Sequence, residues 1–232
     1  MDKPPSDTQP QDIAHQVGKA ITSAVPLAGG PLSVLFETIF TPSLERRKQA
    51  WLENLASVIE ELKEQVDGVT EEKLSKDEQF ITMSIQASQI AMRTHKQEKI
   101  EALRAAILHS ALPGAPEEDQ QAIFLNLIDE LTPWHLNLLA LLDNPAQWME
   151  KHDVRQPNWD MGGVSRVIEH CFPRLRGDAG REFYDQLFRD LKAAGLVAQG
   201  DYLHTTMTGQ GMVASRTTGL GEAFISFITN PE

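Results

Sequence analysis

The chain has 232 residues, of which 41% are hydrophobic and 23% charged, with a formal net charge of −12 at pH 7. That length and balance suit a globular chain able to bury a sizeable core in one large domain or two small ones. Residues 1–149 carry 22 Asp/Glu against 12 Lys/Arg and residues 150–232 carry 11 against 9, so neither part has the excess positive charge that phosphate binding needs.

Met1 to Gln11 is polar and Pro-rich, reads as a disordered tail, and lacks the basic–apolar–small succession of a signal peptide. A single cysteine, Cys171, excludes an intrachain disulfide. Together these predict a cytoplasmic protein. Asp12 to Ala24 has Ile13, Val17, Ala20 and Ile21 at helical spacing. From Ala20 to Phe36 there is no charge, and Pro26, Gly29, Gly30 and Pro31 interrupt the run. As one helix it would span roughly 26 Å, short of a hydrocarbon core of about 30 Å, and the prolines would break it. Two readings stand for it. One is a buried helix–turn–helix corner with Pro31 at the first position of the next helix. The other is a membrane-inserting or partner-binding hairpin presenting Val25, Leu27, Leu32, Leu35 and Phe36.

Thr41-Pro42 opens a long helix with Leu44, Trp51, Leu55, Val58, Leu62 and Val66 on one face and a dense set of charges on the other, ended by Asp67-Gly68. Ser75-Lys-Asp-Glu78 and Thr94-His-Lys-Gln97 each have capping-box spacing. They predict helices with Phe80, Met83, Ala87, Ile90 and Ala91, then Ile100, Leu103, Ile107 and Ala111, turned inward. Leu112-Pro-Gly114 stops the second. Three acids at 117–119 open another helix, with Ile123, Phe124, Leu127, Ile128 and Leu131 inward. Thr132-Pro133 opens one more, ending at Asp143-Asn-Pro145, and residues 153–160 read as loop.

The next stretch organises the C-terminal part. A short helix over 163–172 is followed by the turn Pro173–Asp178 and a helix over 180–194, with Phe183, Leu187, Leu191 and Ala194 as its apolar face. Asp178 caps its start and Gly195 takes the left-handed position past its end. The runs 202–208 and 212–217 about Gly209-Gln-Gly211 predict a β-hairpin, and a last helix carries Phe224, Phe227 and Ile228. Helix, turn, helix and hairpin are the parts of a winged helix-turn-helix. The predicted fold is mainly α: a helical region over 12–114, then a winged-helix domain over 115–232 with one small hairpin.

No sequence signature for chemistry survives inspection. Gly18-Lys19-Ala20 lacks the spacing and hydroxyl of a phosphate loop, and Gly29-Gly30 follows no strand. His15, His95, His109, His135, His152, His170 and His204 are scattered, with no i, i+4 pair of ligands. The expectation is a non-enzyme without cofactor, metal or small-molecule substrate. Arg181, Arg189 and Lys192 balance Glu182, Asp185 and Asp190 on the would-be recognition helix. A DNA-binding use would draw on Arg174, Arg176, Arg181, Arg189 and Arg216.

Val25-Pro-Leu-Ala-Gly-Gly-Pro31, Ser43-Leu-Glu-Arg-Arg-Lys48, Glu98–Arg104, Leu131-Thr-Pro-Trp-His135 and Thr217-Thr-Gly-Leu-Gly221 together resemble a broad group of uncharacterised bacterial helical and winged-helix proteins. The plan is distantly similar to that of the abortive-infection (Abi-alpha-like) family linked to phage defence. The resemblance spans most of residues 20–228, rests on turns, caps and core faces, and carries no catalytic residue. It implies a defence or stress role and specifies no mechanism; the acidic helix faces, the neutral recognition helix and the absence of an active-site motif predict an interaction or adaptor protein that docks a protein partner or a second copy through the winged helix and acidic helices. A DNA-binding regulator is the second reading, and a membrane-active effector working through residues 20–40 the third.

Overall fold

The computed structural model describes residues 41–66 and 68–230. The proposed tail, the 12–24 helix, the uncharged run at 20–36 and the stop residue Asp67 lie outside them. The described chain is mainly helical, with one two-stranded antiparallel sheet. It forms two compact units: residues up to Asp129 with Ile228–Glu232, and Glu130–Phe227. The sequence reading divides the chain one helix earlier, at 114/115.

In the first unit α1 (Thr41–Gln65) carries the predicted apolar stripe. Trp51, Val58 and Leu62 are buried, while Leu44, Leu55 and Val66 are half-buried. A single turn, α2 (Glu71–Leu74), follows, capped by Thr70. The next helix, α3 (Glu78–Arg93), is capped by Asp77, whose carboxylate accepts from Phe80 N–H at 3.0 Å. The expected Ser75 box is therefore displaced: Ser75 closes α2, its N–H donating to Glu71 O, because Thr70 has already started a helix upstream. The Thr94 box is not built either. In α4 (Gln97–Ser110) the N-cap is Lys96, and Thr94 Oγ1 accepts from Lys96 N–H instead. Gly114, at φ +85, makes the predicted stop before α5 (Glu118–Glu130).

α1, α3 and α4 pack on one another, which buries Met83, Ala87, Leu103, Ala106 and Ile107 among them. The Trp51 indole N–H donates to Ser88 Oγ at 2.7 Å, and that hydroxyl donates to Ser84 O at 2.6 Å. The charged face of α1 is partly spent inside the unit. Glu61 pairs with Arg104, and Arg47 donates to Met92 O. Arg104 also holds Asn230 Oδ1 at 3.0 Å. Lys99, half-buried, donates to Asp129 O at 2.7 Å, and desolvation lowers its pKa.

The second unit begins with α6 (Pro133–Asp143) and α7 (Pro145–Lys151), the latter over residues to which the sequence reading assigned no element. Then come β1 (Met161–Gly162), α8 (Val164–Cys171), a 3₁₀ turn (Pro173–Leu175) and α9 (Asp178–Ala193). The helix pair and its turn thus stand where predicted. Asp178 is the first helical residue, however, and Gly177 at φ +88 takes the cap, a backbone conformation that favours glycine. Gly195, at φ +73, closes the far end as expected.

The hairpin is corrected. β2 (Met207–Thr208) pairs with β1, in register Met161↔Thr208 and Gly162↔Met207, and not with the run after Gly211. Gly209–Met212 is a helical turn, α10, whose cap Thr208 accepts from Gly211 N–H. The cause is local. A Cβ on Gly209 would sit 1.9 Å from Trp159 O, so glycine lets this turn press against the residues before β1. Each predicted hairpin arm finds another partner. Tyr202 and Leu203 carbonyls accept from Val164 and Ser165 N–H at the start of α8, and Thr217 bridges Val197. α11 (Gly219–Ile228) completes the described chain, with Phe224 and Phe227 buried and Ile228 half-buried.

Candidate interaction face

The helix pair of the second unit is where the sequence places recognition. α9 buries Tyr184, Leu187, Phe188 and Leu191. The expected stripe Phe183–Leu187–Leu191–Ala194 is corrected at its ends: Phe183 is 40% exposed and Ala194 half-buried. Steps of four residues precess about 40° per step around a helix of 3.6 residues per turn, so a stripe drawn in fours drifts off the core. The buried set steps three, one and three, which stays on one face. Phe183 faces out.

Its ring is edge-on to Trp134 at the start of α6, with centroids 6.0 Å apart and planes at 89°. Trp134 meets Phe172 at 5.4 Å, and Phe172 meets Trp148 of α7 at 4.9 Å. Trp148 stacks on His152 at 3.9 Å. Trp134 and Phe172 are half-buried and Trp148 is buried. These rings form a ladder from exposed His152 through buried Trp148 to an open end at Phe183, each edge-to-face step contributing about 0.5–1.5 kcal/mol beyond area burial.

The five arginines are not equivalent. Arg174 is exposed on the 3₁₀ turn. Arg176 donates through Nε to Glu169 O at 3.0 Å. Arg181 donates to His204 Nδ1 at 3.0 Å, and Arg189 to Gln186 Oε1 at 2.7 Å. Arg216 is half-buried. It holds Gly211 O and Met207 Sδ and lies 4.6 Å from the Tyr202 ring centroid, tying the end of the unit together. Asp185 stands at i+4 between Arg181 and Arg189 on α9, placing a carboxylate between the two cations. The amides at the start of α8 donate to Tyr202 and Leu203 carbonyls, so that helix end is closed by the protein's own backbone.

Two imidazoles grip α9 through its carboxylates. His135 Nε2 lies 3.3 Å from Asp190 Oδ2, while its Nδ1 accepts from Thr132 N–H at 3.1 Å in a capping box. His204 Nε2 lies 2.9 Å from Asp185 Oδ1. Tyr184 donates its phenol to Glu169 Oε1 at 2.9 Å, and burial with that carboxylate raises its pKa. Burial pushes the Cys171 thiol up to about 12. At pH 8 it is held as the unreactive thiol. Maleimide labelling of the folded protein at that pH is expected to leave Cys171 unmodified, with full labelling once denaturant is added. Rapid labelling without denaturant would mean the thiol is not enclosed.

Among the described residues no group of three or more His, Cys, Asp or Glu is placed to hold a metal ion, and no helix is long and apolar enough to cross a membrane. An open depression of about 440 Å³ beside α7, lined by Asn144, Gln147, Met149, Glu150 and Val154 among others, offers side-chain amides and one carboxylate but no nucleophile with a base. No family model, curated protein or solved structure matches the chain.

Proposed function

We propose that the chain is a non-enzymatic interaction protein that docks a protein partner on the exposed face of α9. Phe183, a solvent-open end of an aromatic ladder on a helix whose arginines are already engaged, is the observation that carries this reading. Aromatic side chains half-open to solvent and held by packed neighbours are the usual anchors of protein interfaces. The order strand, helix, turn, helix, strand supports a winged-helix plan for the second unit, with the wing replaced by the 199–206 loop and α10. The resemblance to the abortive-infection family supports a bacterial defence or stress role, and the lone cysteine supports a reducing, cytoplasmic compartment.

The DNA-binding alternative draws on Arg174, Arg176, Arg181, Arg189 and Arg216, and four of these are occupied by neighbours. The membrane alternative rests on residues 20–40.

The test compares wild type with Phe183→Ala. Partners captured from a bacterial lysate by the wild type should be lost from the variant, by a factor of about 30 or more in affinity for an anchor worth about 2 kcal/mol. Light scattering separates a heterologous partner from self-association. Equal capture by both proteins overturns the docking reading on α9, and a salt-sensitive gel shift at micromolar protein that weakens on Arg181→Ala and Arg189→Ala overturns it in favour of DNA.

A further inference from the structure

His204 sits on the loop that follows Gly200, with both ring nitrogens occupied by α9. Nδ1 accepts from the Arg181 guanidinium at 3.0 Å, which leaves the ring proton on Nε2, facing Asp185 Oδ1 at 2.9 Å. The loop backbone is fixed independently. Val164 and Ser165 N–H hold the carbonyls of residues 202 and 203, and Lys192 Nζ holds Gly200 O at 3.0 Å. Protonation at Nδ1 turns that nitrogen from acceptor into donor. Two N–H groups, both on cations, then oppose each other at the Arg181 contact, while the bond to Asp185 becomes an ion pair.

We propose that His204 is a proton-operated switch on Arg181: the neutral imidazole holds the guanidinium against the loop, and the protonated one releases it to the exposed face of α9 while keeping Asp185. Other charged or titratable groups lie on the elements around the ring. Tyr184 of α9 lies with its ring 6.3 Å away and its hydroxyl committed to Glu169 of α8. Lys192 is committed to Gly200 O, and Arg166 of α8 to Met161 O. Asp201 is on the loop itself, where its carbonyl accepts from Thr205. Asp185 and Arg181 are thus the two charges bonded to the imidazole. The face that the conclusion above assigns to docking gains one unheld positive charge when His204 is protonated, the freed Arg181, because the imidazolium stays paired with Asp185. That consequence rests on the docking reading, whereas the switch itself does not.

The experiment uses the full chain labelled with ¹⁵N and needs no partner. Long-range nitrogen–proton spectra report the His204 tautomer, and the heteronuclear NOE of Arg181 Nε reports its order, followed from about pH 8 to about pH 5. The expected results are an Nε2–H tautomer at high pH and loss of Arg181 order in step with the titration of His204. Asp185→Asn must keep the two steps coincident wherever it moves them, which a general acid effect would not do. His204→Ala should leave Arg181 mobile at every pH. An Nδ1–H tautomer, an Arg181 step independent of His204, or a step persisting in His204→Ala overturns the proposal. Capture of partners with Phe183→Ala is read separately, so failure of the switch and failure of the docking surface are distinguishable.

Discussion

Replacing Trp51 by alanine is expected to remove about 3–5 kcal/mol from the stability of the first unit, the largest effect of any single substitution considered. Trp51 is 2% exposed, and its indole is the only large ring α1 buries. Truncation removes that apolar area, leaves a cavity that the surrounding helices fill only in part, and strips Ser88 Oγ of its donor. Trp51→Phe separates these contributions. It retains most of the ring volume and loses the N–H, so about 1 kcal/mol should go with the hydrogen bond, plus the smaller volume change. Urea titrations of both variants, read at unchanged slope, check the pair. An alanine variant within about 1 kcal/mol of wild type would mean that the tryptophan does not hold the three helices together.

Gly180→Ala is expected to destabilise the second unit by about 1–3 kcal/mol, although alanine is the better helix former by about 1 kcal/mol. A Cβ at this position would meet Leu175 O at 2.3 Å and Leu175 Cα at 2.7 Å, both backbone atoms that no side-chain rotation can move away. The 3₁₀ turn would have to lift from the first turn of α9. Gly219→Ala is the control, since a Cβ there meets nothing within 4 Å. That substitution should leave stability unchanged or raise it slightly, by at most about 1 kcal/mol. The comparison, made by the same titrations, isolates close backbone approach from helix propensity. Equal effects of the two substitutions would argue that α9 and the turn are not in contact at Gly180.

Helices were legible in this chain because their stops and apolar spacing are local. Gly114 and Gly195 end helices where residues with positive φ are needed, and Thr132-Pro133 opens α6 as its sequence predicts. The two displaced capping boxes have a common cause, since Ser75 and Thr94 each already close the helix before. A capping-box pattern says which residues can cap, but upstream geometry decides which one does, and Thr70 pre-empts Ser75. The sheet was legible only in part. Met207-Thr208 was inside a predicted strand, but its partner, Met161-Gly162, has two residues and no alternating pattern to mark it. The candidate face was hidden for a different reason. Phe183 is apolar and belongs to a helix, so counting assigned it to the core, and only the observed burial of Tyr184 and Phe188 on the true inner face turns it outward. Arg216 looked like a surface cation because charge alone says nothing of the carbonyl and ring that enclose it.

The pairing of Met161 with Thr208 has a consequence for the order in which the second unit assembles. Joining those two strands closes a loop of about 45 residues, at an entropic cost of roughly 3 kcal/mol, against two residue pairs of ladder hydrogen bonds worth about 1 kcal/mol each. The ladder cannot nucleate the fold on those terms. α8, the 3₁₀ turn and α9 are consecutive in sequence and form through short-range contacts, so they bring the strand ends together before the ladder closes. Loss of a ladder bond should then speed unfolding and leave the folding rate nearly unchanged. The strands are the clasp, fastened last, on a unit whose helices have already assembled.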